Sequence, residues 1–394
     1  MNFELTDTQK MVRETVRQFA EERLKPGAHQ RDKDMTPALA EIKEFGKLGF
    51  YGCSIPEEFG GSPLDAISEA IIIEELSRVD ASFGVFFAVQ VGIGCLPIVK
   101  WGSEQQKKKY LPRVATGELL TAYALTEPGA GSDAANISST AEKKNGYYVL
   151  NGQKVFCTNG SIAGLYIIMA KTDPSAGHRG ISAFIVERDF PGLIIGKKEI
   201  KLGLRSSDTV ELYLQNLEVP AENLLGQEGM GFKIALDALN DSRIGIAAQA
   251  TGIAQGAMEE TIKYVSEREQ YDRKIGSFEL VYNVIAEMRA RVDSARFLTY
   301  YAAWLREQNR PHAVEASIAK LVASENAHFV CDKAVQLHGG YGYISDFPVE
   351  RFYRDVKVTE IYEGTNEIQR LVIARGILPK EVFEEKQKAG VRTT

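Results

Sequence analysis

The chain has 394 residues, more than one hydrophobic core usually organises, so two or three packed subdomains are expected. Its 44% apolar and 25% charged content are those of an ordinary globular protein, and a net charge of −6 without a long basic block argues against nucleic acid as a partner. Four scattered cysteines (Cys53, Cys95, Cys157, Cys331) read as buried, reduced thiols; no metal site is expected, and no unbroken apolar run reaches the roughly 20 residues of a membrane span. The opening MNFELTDTQK has neither a secretory nor an Arg-rich transit pattern.

Thr6-x-x-Gln9 has the form of a capping box. Val12, Val16, Phe19, Ala20 and Leu24 then recur at helical spacing, which predicts a helix ended by Pro26. Ala38–Leu48 and Ala66–Arg78 predict two more helices, with a turn at Pro56–Gly61 between them. An unusually apolar helix from Ala81, ended by Pro97, reads as a central core element. Glu104–Leu111 predicts a short charged helix with its lysines in solvent.

Near residue 119 the pattern changes. Asn145-Gly146 and Asn151-Gly152 are hairpin-type turn signals around Tyr147–Leu150. Further β runs are Lys154–Cys157, Leu165–Ala170, Ile181–Val186, Leu193–Ile195 and Val210–Leu217. They predict a small barrel or sandwich. Long helical segments then follow at Phe232–Glu267, Phe278–Asn309 and Pro311–Leu337. With a terminal helix carrying Ile368, Leu371, Val372 and Ala374, they suit a four-helix bundle before a frayed tail, Glu384–Thr394. The class is α+β, in the order α, β, α.

Five stretches can carry chemistry. Glu363 stands on a tight turn at the start of the terminal helix, where N–H groups lack partners. Its carboxylate can cap those donors, or act as a general base if an apolar pocket lifts its pKa. Thr126–Asp133 (TEPGAGSD) is a Gly-rich loop that suits a planar or anionic ligand, or a plain turn; it is not a GxGxxG nucleotide loop. Phe156 and Thr158 offer a ring and a hydroxyl to a flat cofactor, or simply end a strand. Gln336–Tyr343 (QLHGGYGY) ends a helix in glycines, with His338 read as packing or capping. Arg268–Tyr271 breaks two helices with a cation available for phosphate, or is a solvated turn.

Jointly, TEPGAGSD, QLHGGYGY and IYEGTNEIQR (Ile361–Arg370), in this order and spacing, resemble the acyl-CoA dehydrogenase family, its short- and medium-chain enzymes above all. The resemblance covers nearly the whole chain, from Leu5 to Ile377. It implies a helical N-terminal domain (1–118), a middle β domain (119–230) and a C-terminal four-helix bundle (231–394). It also implies FAD, a homotetramer built as a dimer of dimers, and oxidation of an acyl-CoA to the trans-2-enoyl-CoA, as in fatty acid β-oxidation. Electrons would pass to electron-transfer flavoprotein. The implied compartment is the bacterial cytoplasm or, for a processed eukaryotic form, the mitochondrial matrix.

Position by position, the resemblance implies that Tyr123, Leu125, Thr126, Gly131 and Ser132 face the flavin, with Ser132 also near the pantetheine. Phe156 would shield one flavin face and Thr158 would bond near N5. Arg268, Gln270, Phe278, Gln336, Leu337, Gly339, Gly340, Thr365 and Glu367 would hold the pyrophosphate and adenosine ends, partly from a neighbouring subunit. Asn240, Asp241 and Arg243 take CoA-contacting positions, and Tyr362, Glu363 and Gly364 meet the substrate. Glu363 would remove the α-proton while hydride passes to flavin N5, with its own N–H and a ribityl hydroxyl bonding the thioester oxygen.

Some members carry the base beside the arginine matching Arg243; here Ser242 stands there and cannot serve. Asp272 and Glu279 depart from the common Gly and Gln. Phe87–Gly94 and Tyr362 would line the acyl pocket, whose small apolar residues and lack of Arg argue for a short to medium chain, straight or branched. An acyl-CoA oxidase, or a flavin monooxygenase or nitroalkane oxidase on the same scaffold, are the alternatives. The first usually carries an added C-terminal domain, and the others lack this Tyr-Glu-Gly arrangement.

Overall fold

In the computed structural model, which describes residues 4–379 and 381–383, the expected capping box opens α1 (Asp7–Phe19). Thr6 Oγ1 accepts from the Gln9 N–H at 3.2 Å, and Gln9 Oε1 from the Thr6 N–H at 3.0 Å. Pro26 does not end this helix. A π-helical turn, Ala20–Leu24, carries it into α2 (Lys25–Asp34), with Pro26 in the first turn of α2. The wider turn makes room for the ring, and a helix start needs no proline N–H. The predicted tail, Glu384–Thr394, lies outside the described residues.

α3 (Leu39–Gly46) and α4 (Ala66–Ser77) fall where expected. The apolar helix is shorter: α5 (Ala81–Val91) stops at Gly92, and Pro97 opens α6 (Leu96–Trp101) instead of closing α5. Ala81–Trp101 meets the length and composition of a membrane span, with mean hydropathy 2.0, although small and polar residues break its apolar run, as the sequence reading has it. It is interrupted at Gly92, and 94% of its most apolar window is buried inside the protein, as befits a core segment. α7 (Glu104–Ala115) runs past Leu111 and through Pro112.

Phe45 of α3 centres the N-terminal core. Its ring meets Phe19 at 4.9 Å, Phe83 at 5.6 Å and Phe87 at 5.7 Å between centroids, all beyond solvent. Each such buried ring contributes roughly 1.5–3 kcal/mol by transfer from water. Phe87 is thus bound into this core, and of 87–94 only Ala88 keeps partial exposure.

The middle strands are β1 (Thr121–Ala124), β2 (Thr140–Lys143), β3 (Tyr147–Thr158), β4 (Leu165–Lys171), β5 (Ile181–Glu187), β6 (Leu193–Lys198), β7 (Thr209–Pro220) and β8 (Leu224–Leu225). They form an 8-stranded sheet in the order β6-β7-β3-β2-β4-β5-β8, with β1 parallel to β4. Asn145-Gly146 makes the predicted turn, Gly146 having φ 86°. Asn151-Gly152 does not: β3 continues through it, and its register with β7 slips there in a bulge. A Cβ at Gly152 would lie 2.2 Å from Ser139 Oγ, so the close crossing of β2 requires glycine. Alternate residues of β4 serve two cores. Leu165, Ile167 and Met169 meet helices, while Tyr166, Ile168 and Ala170 face the other strands.

Four long helices follow: α8 (Gly231–Glu267), α9 (Glu279–Glu307), α10 (Ala313–His338) and, after α11 (Val349–Val356), α12 (Asn366–Ile377). Their core is rich in alanine (Ala247, Ala250, Ala254, Ala319, Ala323, Ala327), which lets the axes approach closely. α8 also carries α4 on a glycine seam: a Cβ at Gly252 would sit 2.2 Å from Glu74 O. This seam ties the N-terminal helices to the bundle.

Phe45→Ala is expected to cost about 3–5 kcal/mol, and Phe45→Leu less than half of that, read from denaturant unfolding of the flavin-bound protein.

Candidate active site

The segment between α11 and α12 carries Glu363 in a left-handed conformation, φ 56°, followed by Gly364 at φ 89°. A non-glycine residue there costs roughly 1–2 kcal/mol and persists only when its surroundings hold it. They do so through the two carbonyls of the turn. Glu363 O accepts from Gln369 Nε2 at 3.1 Å and Arg243 Nε at 3.4 Å. Gly364 O accepts from Gln369 Nε2 at 2.7 Å and Lys320 Nζ at 3.0 Å. Three helices, α8, α10 and α12, thus clamp one turn.

Helix capping falls to another residue than expected. The N-cap of α12 is Thr365, whose hydroxyl accepts from the Ile368 N–H. Glu363 lies two residues earlier, and its carboxylate accepts instead from Ser242 Oγ of α8 at 2.8 Å. Among the described residues its own N–H meets no protein acceptor. The residue keeps a partly exposed face, yet protein surrounds its carboxyl. Burial raises the carboxyl above its ordinary range, and the Ser242 bond, Arg243 and Lys320 only partly oppose this. Lys320, with no exposed surface, is pushed by burial down to about 8.

The structure brings several implied residues to this turn. Tyr362 donates to Gln249 Oε1, and Gln249 Nε2 to Ala81 O, which joins the turn to α8 and α5. Asn240 Oδ1 accepts from Arg243 Nη1 at 2.8 Å. Asp241, however, points elsewhere. It is buried, with Lys100 Nζ at 2.5 Å and His312 Nε2 at 3.0 Å on its two oxygens, and presents no carboxylate to a ligand. One residue along a helix turns the side chain about 100°, away from the Asn240–Arg243 face and onto α6.

The strand ends form the adjoining ledge. The Val155 N–H donates to Thr126 O at 2.9 Å, which binds the Gly-rich loop to β3. Beneath it lies a buried ion pair, Lys154 Nζ to Glu127 Oε1 at 2.6 Å. Burial alone would raise Glu127; Lys154 and the Ser138 and Ser139 donors hold it at about 2. Phe156 is 65% exposed at φ 57°, a large ring on a strained backbone. Thr126 and Thr158 are half-buried, and Gly131 and Ser132 lie exposed at the loop tip. Leu125 is buried in the core, so it can meet a ligand only with its backbone. Tyr123 Oη is buried without a partner, and burial together with the Glu363 charge keeps its phenol un-ionised. An exposed ring, an orphaned hydroxyl and open glycines fit a flat, polar-edged ring system such as a flavin.

A second group gathers at the end of the bundle. Arg268, Gln270, Gln336, Leu337, Gly339 and Gly340 line a cavity of about 470 Å³. A Cβ at Gly339 or Gly340 would meet nothing within 4 Å, so room is left for a ligand. Phe278 is not in this lining; its ring lies under Arg273, 3.9 Å from the guanidinium carbon. Thr365 and Glu367 do not line it either, and Glu367 is exposed. No residue of the strand-end ledge reaches this cavity. Asp272 and Glu279 are exposed.

Five functional side chains escaped the sequence reading: Lys320, Gln369, Glu127 and its ion-pair partner Lys154, and Ser242 as a partner of Glu363. Lys320 was legible, since it shares the buried face of α10 with Ala316, Ala323 and Ala327 at helical spacing. Ser242 and the Glu127–Lys154 pair depend on contacts distant in sequence, while Gln369 reaches back 6 and 5 positions to Glu363 and Gly364.

Comparison with known proteins follows this architecture. Family models described as acyl-CoA dehydrogenase N-terminal, middle and C-terminal domains match residues 6–118, 122–217 and 229–378. An acyl-CoA dehydrogenase of Bacillus subtilis is 48% identical over 95% of this chain and 99% of its own. Among solved structures, butyryl-CoA dehydrogenase from Megasphaera elsdenii superposes with TM-score 0.95 at 42% identity, over 96% of this chain and all of the other. A chain from work on the electron transferring flavoprotein of Acidaminococcus fermentans and flavin-based electron bifurcation gives TM-score 0.95 at 45% identity, over 96% and 100%.

Gly364→Ala is expected to lose about 1–3 kcal/mol of stability, because φ is 89° there and the new Cβ would meet Gln369 Nε2 at 2.8 Å. Denaturant unfolding checks it.

Proposed function

The chain belongs to the acyl-CoA dehydrogenase family, and from that membership we propose that it dehydrogenates a short- to medium-chain acyl-CoA with Glu363 as the α-proton base. The protein is an FAD-dependent oxidoreductase. The observation that carries the proposal is the Glu363 turn: a carboxylate raised by burial, beside an N–H on the same residue that meets no acceptor among the described residues.

A thioester α-proton is very weakly acidic, so its removal needs a strengthened base and a stabilised enolate. Burial supplies the first, because a desolvated carboxylate binds a proton more tightly. The free Glu363 N–H supplies the second, as a donor to the thioester oxygen worth a few kcal/mol. Both functions sit on one residue, so the left-handed turn that presents the N–H also roots the carboxylate beside it. Bound on the ledge of Tyr123, Thr126, Phe156 and Thr158, FAD supplies a two-electron acceptor for the β-hydrogen. The cavity at Arg268 and Gly339–Gly340 suits the pyrophosphate and adenosine ends. It receives no ledge residue of the same chain, which supports a shared cofactor site in a homotetramer.

Butyryl-CoA as the substrate named for a structural neighbour supports the short end of the range, and β-oxidation fits the family. The flavoprotein study from which the other neighbour comes supports electron-transfer flavoprotein as the acceptor.

Glu363→Gln should remain folded and yellow and still bind acyl-CoA, while anaerobic flavin bleaching slows by about 10²–10⁴-fold; near-normal bleaching removes the assignment. Across butyryl-, hexanoyl-, octanoyl- and isobutyryl-CoA, stopped-flow bleaching should be fastest among the shorter chains. Since Glu363 acts as the ionised base and its pKa is raised, kcat/KM should fall as pH drops through that raised value, and not near the ordinary carboxylate pKa.

A further inference from the structure

Ser242 Oγ lies 2.8 Å from Glu363 Oε2 and 3.2 Å from the carbonyl oxygen of Leu239, one turn back on α8. A hydroxyl carries one proton and two lone pairs, so it can donate to only one of these at a time. With Glu363 ionised, the carboxylate is the stronger acceptor and takes the proton. With Glu363 protonated, the hydroxyl turns to Leu239 O and offers a lone pair to the new carboxylic O–H. Among the described residues this is the one hydrogen bond to the Glu363 carboxylate, since Arg243, Lys320 and Gln369 all bond backbone carbonyls of the turn.

We infer that Ser242 is the positioning residue for the proposed base, holding the Glu363 carboxyl in one orientation in both protonation states by turning between Glu363 and the Leu239 carbonyl. This rests on Glu363 being that base. The turn carbonyls have donors of their own, so Ser242 acts on the carboxylate and leaves the backbone clamp intact. It converts a side chain with free rotation about its last bonds into one already aimed, and it lets the proton arrive without a break in the hydrogen bonding.

Other groups face Glu363 as well. Arg243 from α8 and Lys320 from α10 are the cations, and the phenols of Tyr123 on β1 and Tyr362 on the turn border it. Both phenols are pushed up by burial and by the Glu363 charge, and stay neutral. Lys320, at about 8, titrates on the alkaline side and marks a limb that Ser242 does not touch.

The test is the pH profile of kcat and KM with butyryl-CoA for the FAD-loaded wild type, Ser242→Ala, Ser242→Thr and Ser242→Val, with Glu363→Gln as the reference. Losing the one charge-assisted donor should move the acid limb of Ser242→Ala and Ser242→Val up by about one pH unit, roughly tenfold in proton affinity. It should lower kcat more than it raises KM, while Ser242→Thr keeps the wild-type limb. Infrared difference titration of the Glu363 carboxyl band, without substrate, should show the same shift. Acid limbs of Ala and Val that superpose on the wild type, beside an inactive Glu363→Gln, overturn the inference, as does a Val profile equal to Thr. An active Glu363→Gln instead overturns the base assignment itself. Should Ser242→Ala fail to fold, the isosteric Thr and Val pair still decides.

Discussion

One left-handed residue sets the geometry on which the site depends. Glu363 adopts φ 56° because Arg243, Lys320 and Gln369, from three helices, take up the carbonyls of residues 363 and 364. Each of these donors is itself placed by packing: Lys320 within the alanine-lined face of α10, Gln369 buried on α12, and Arg243 buried on α8. A turn at roughly 1–2 kcal/mol of conformational cost is therefore held by several hydrogen bonds, some of them charge-assisted. The bundle does more than support the site, since its helices supply the side-chain donors that take up both carbonyls of the turn.

Burial works in two directions around this turn. It raises the Glu363 carboxyl and lowers the Lys320 ammonium toward about 8, so each group is nearer neutrality than it would be in water. Their mutual attraction opposes both shifts, but Lys320 spends its hydrogen bonds on Gly364 O and Asn366 Oδ1 and forms no ion pair with Glu363. The carboxylate thus keeps one neutral donor, Ser242, and a proton affinity set mainly by its surroundings. The Glu127–Lys154 pair resolves the same balance the other way. There direct contact and two serine donors outweigh burial, and the carboxylate stays strongly acidic under the Gly-rich loop.

The local signals were legible wherever one element carried them. The Thr6–Gln9 box, the Asn145-Gly146 turn and the long apolar periodicities each named their element correctly. Misreadings arose where a second segment intervened. Pro26 looked like a stop because the π-helical turn before it leaves no mark in composition. Asn151-Gly152 looked like a hairpin because nothing local shows Ser139 crossing over the glycine. Cap and base both stay open for Glu363 in the local sequence, because only the folded turn shows Thr365, two residues later, accepting from the Ile368 N–H. The resemblance sets Asp241 with Asn240 and Arg243 at CoA-contacting positions, whereas the helix turns its side chain to a different face, against Lys100 and His312.

By itself the sequence determined the α, β, α order, the helical bundle, and the motifs that mark the family, because periodicity, turn residues and short motifs are properties of contiguous residues. Tertiary structure alone decided which groups share a site. The Ser242–Glu363 bond spans 121 positions, Lys320 reaches 44 positions to Gly364, and Arg243 reaches 120 to Glu363. The buried state of Glu363 is likewise a property of the packed helices around it, since a carboxylate on an exposed turn with the same neighbours in sequence would keep its ordinary pKa.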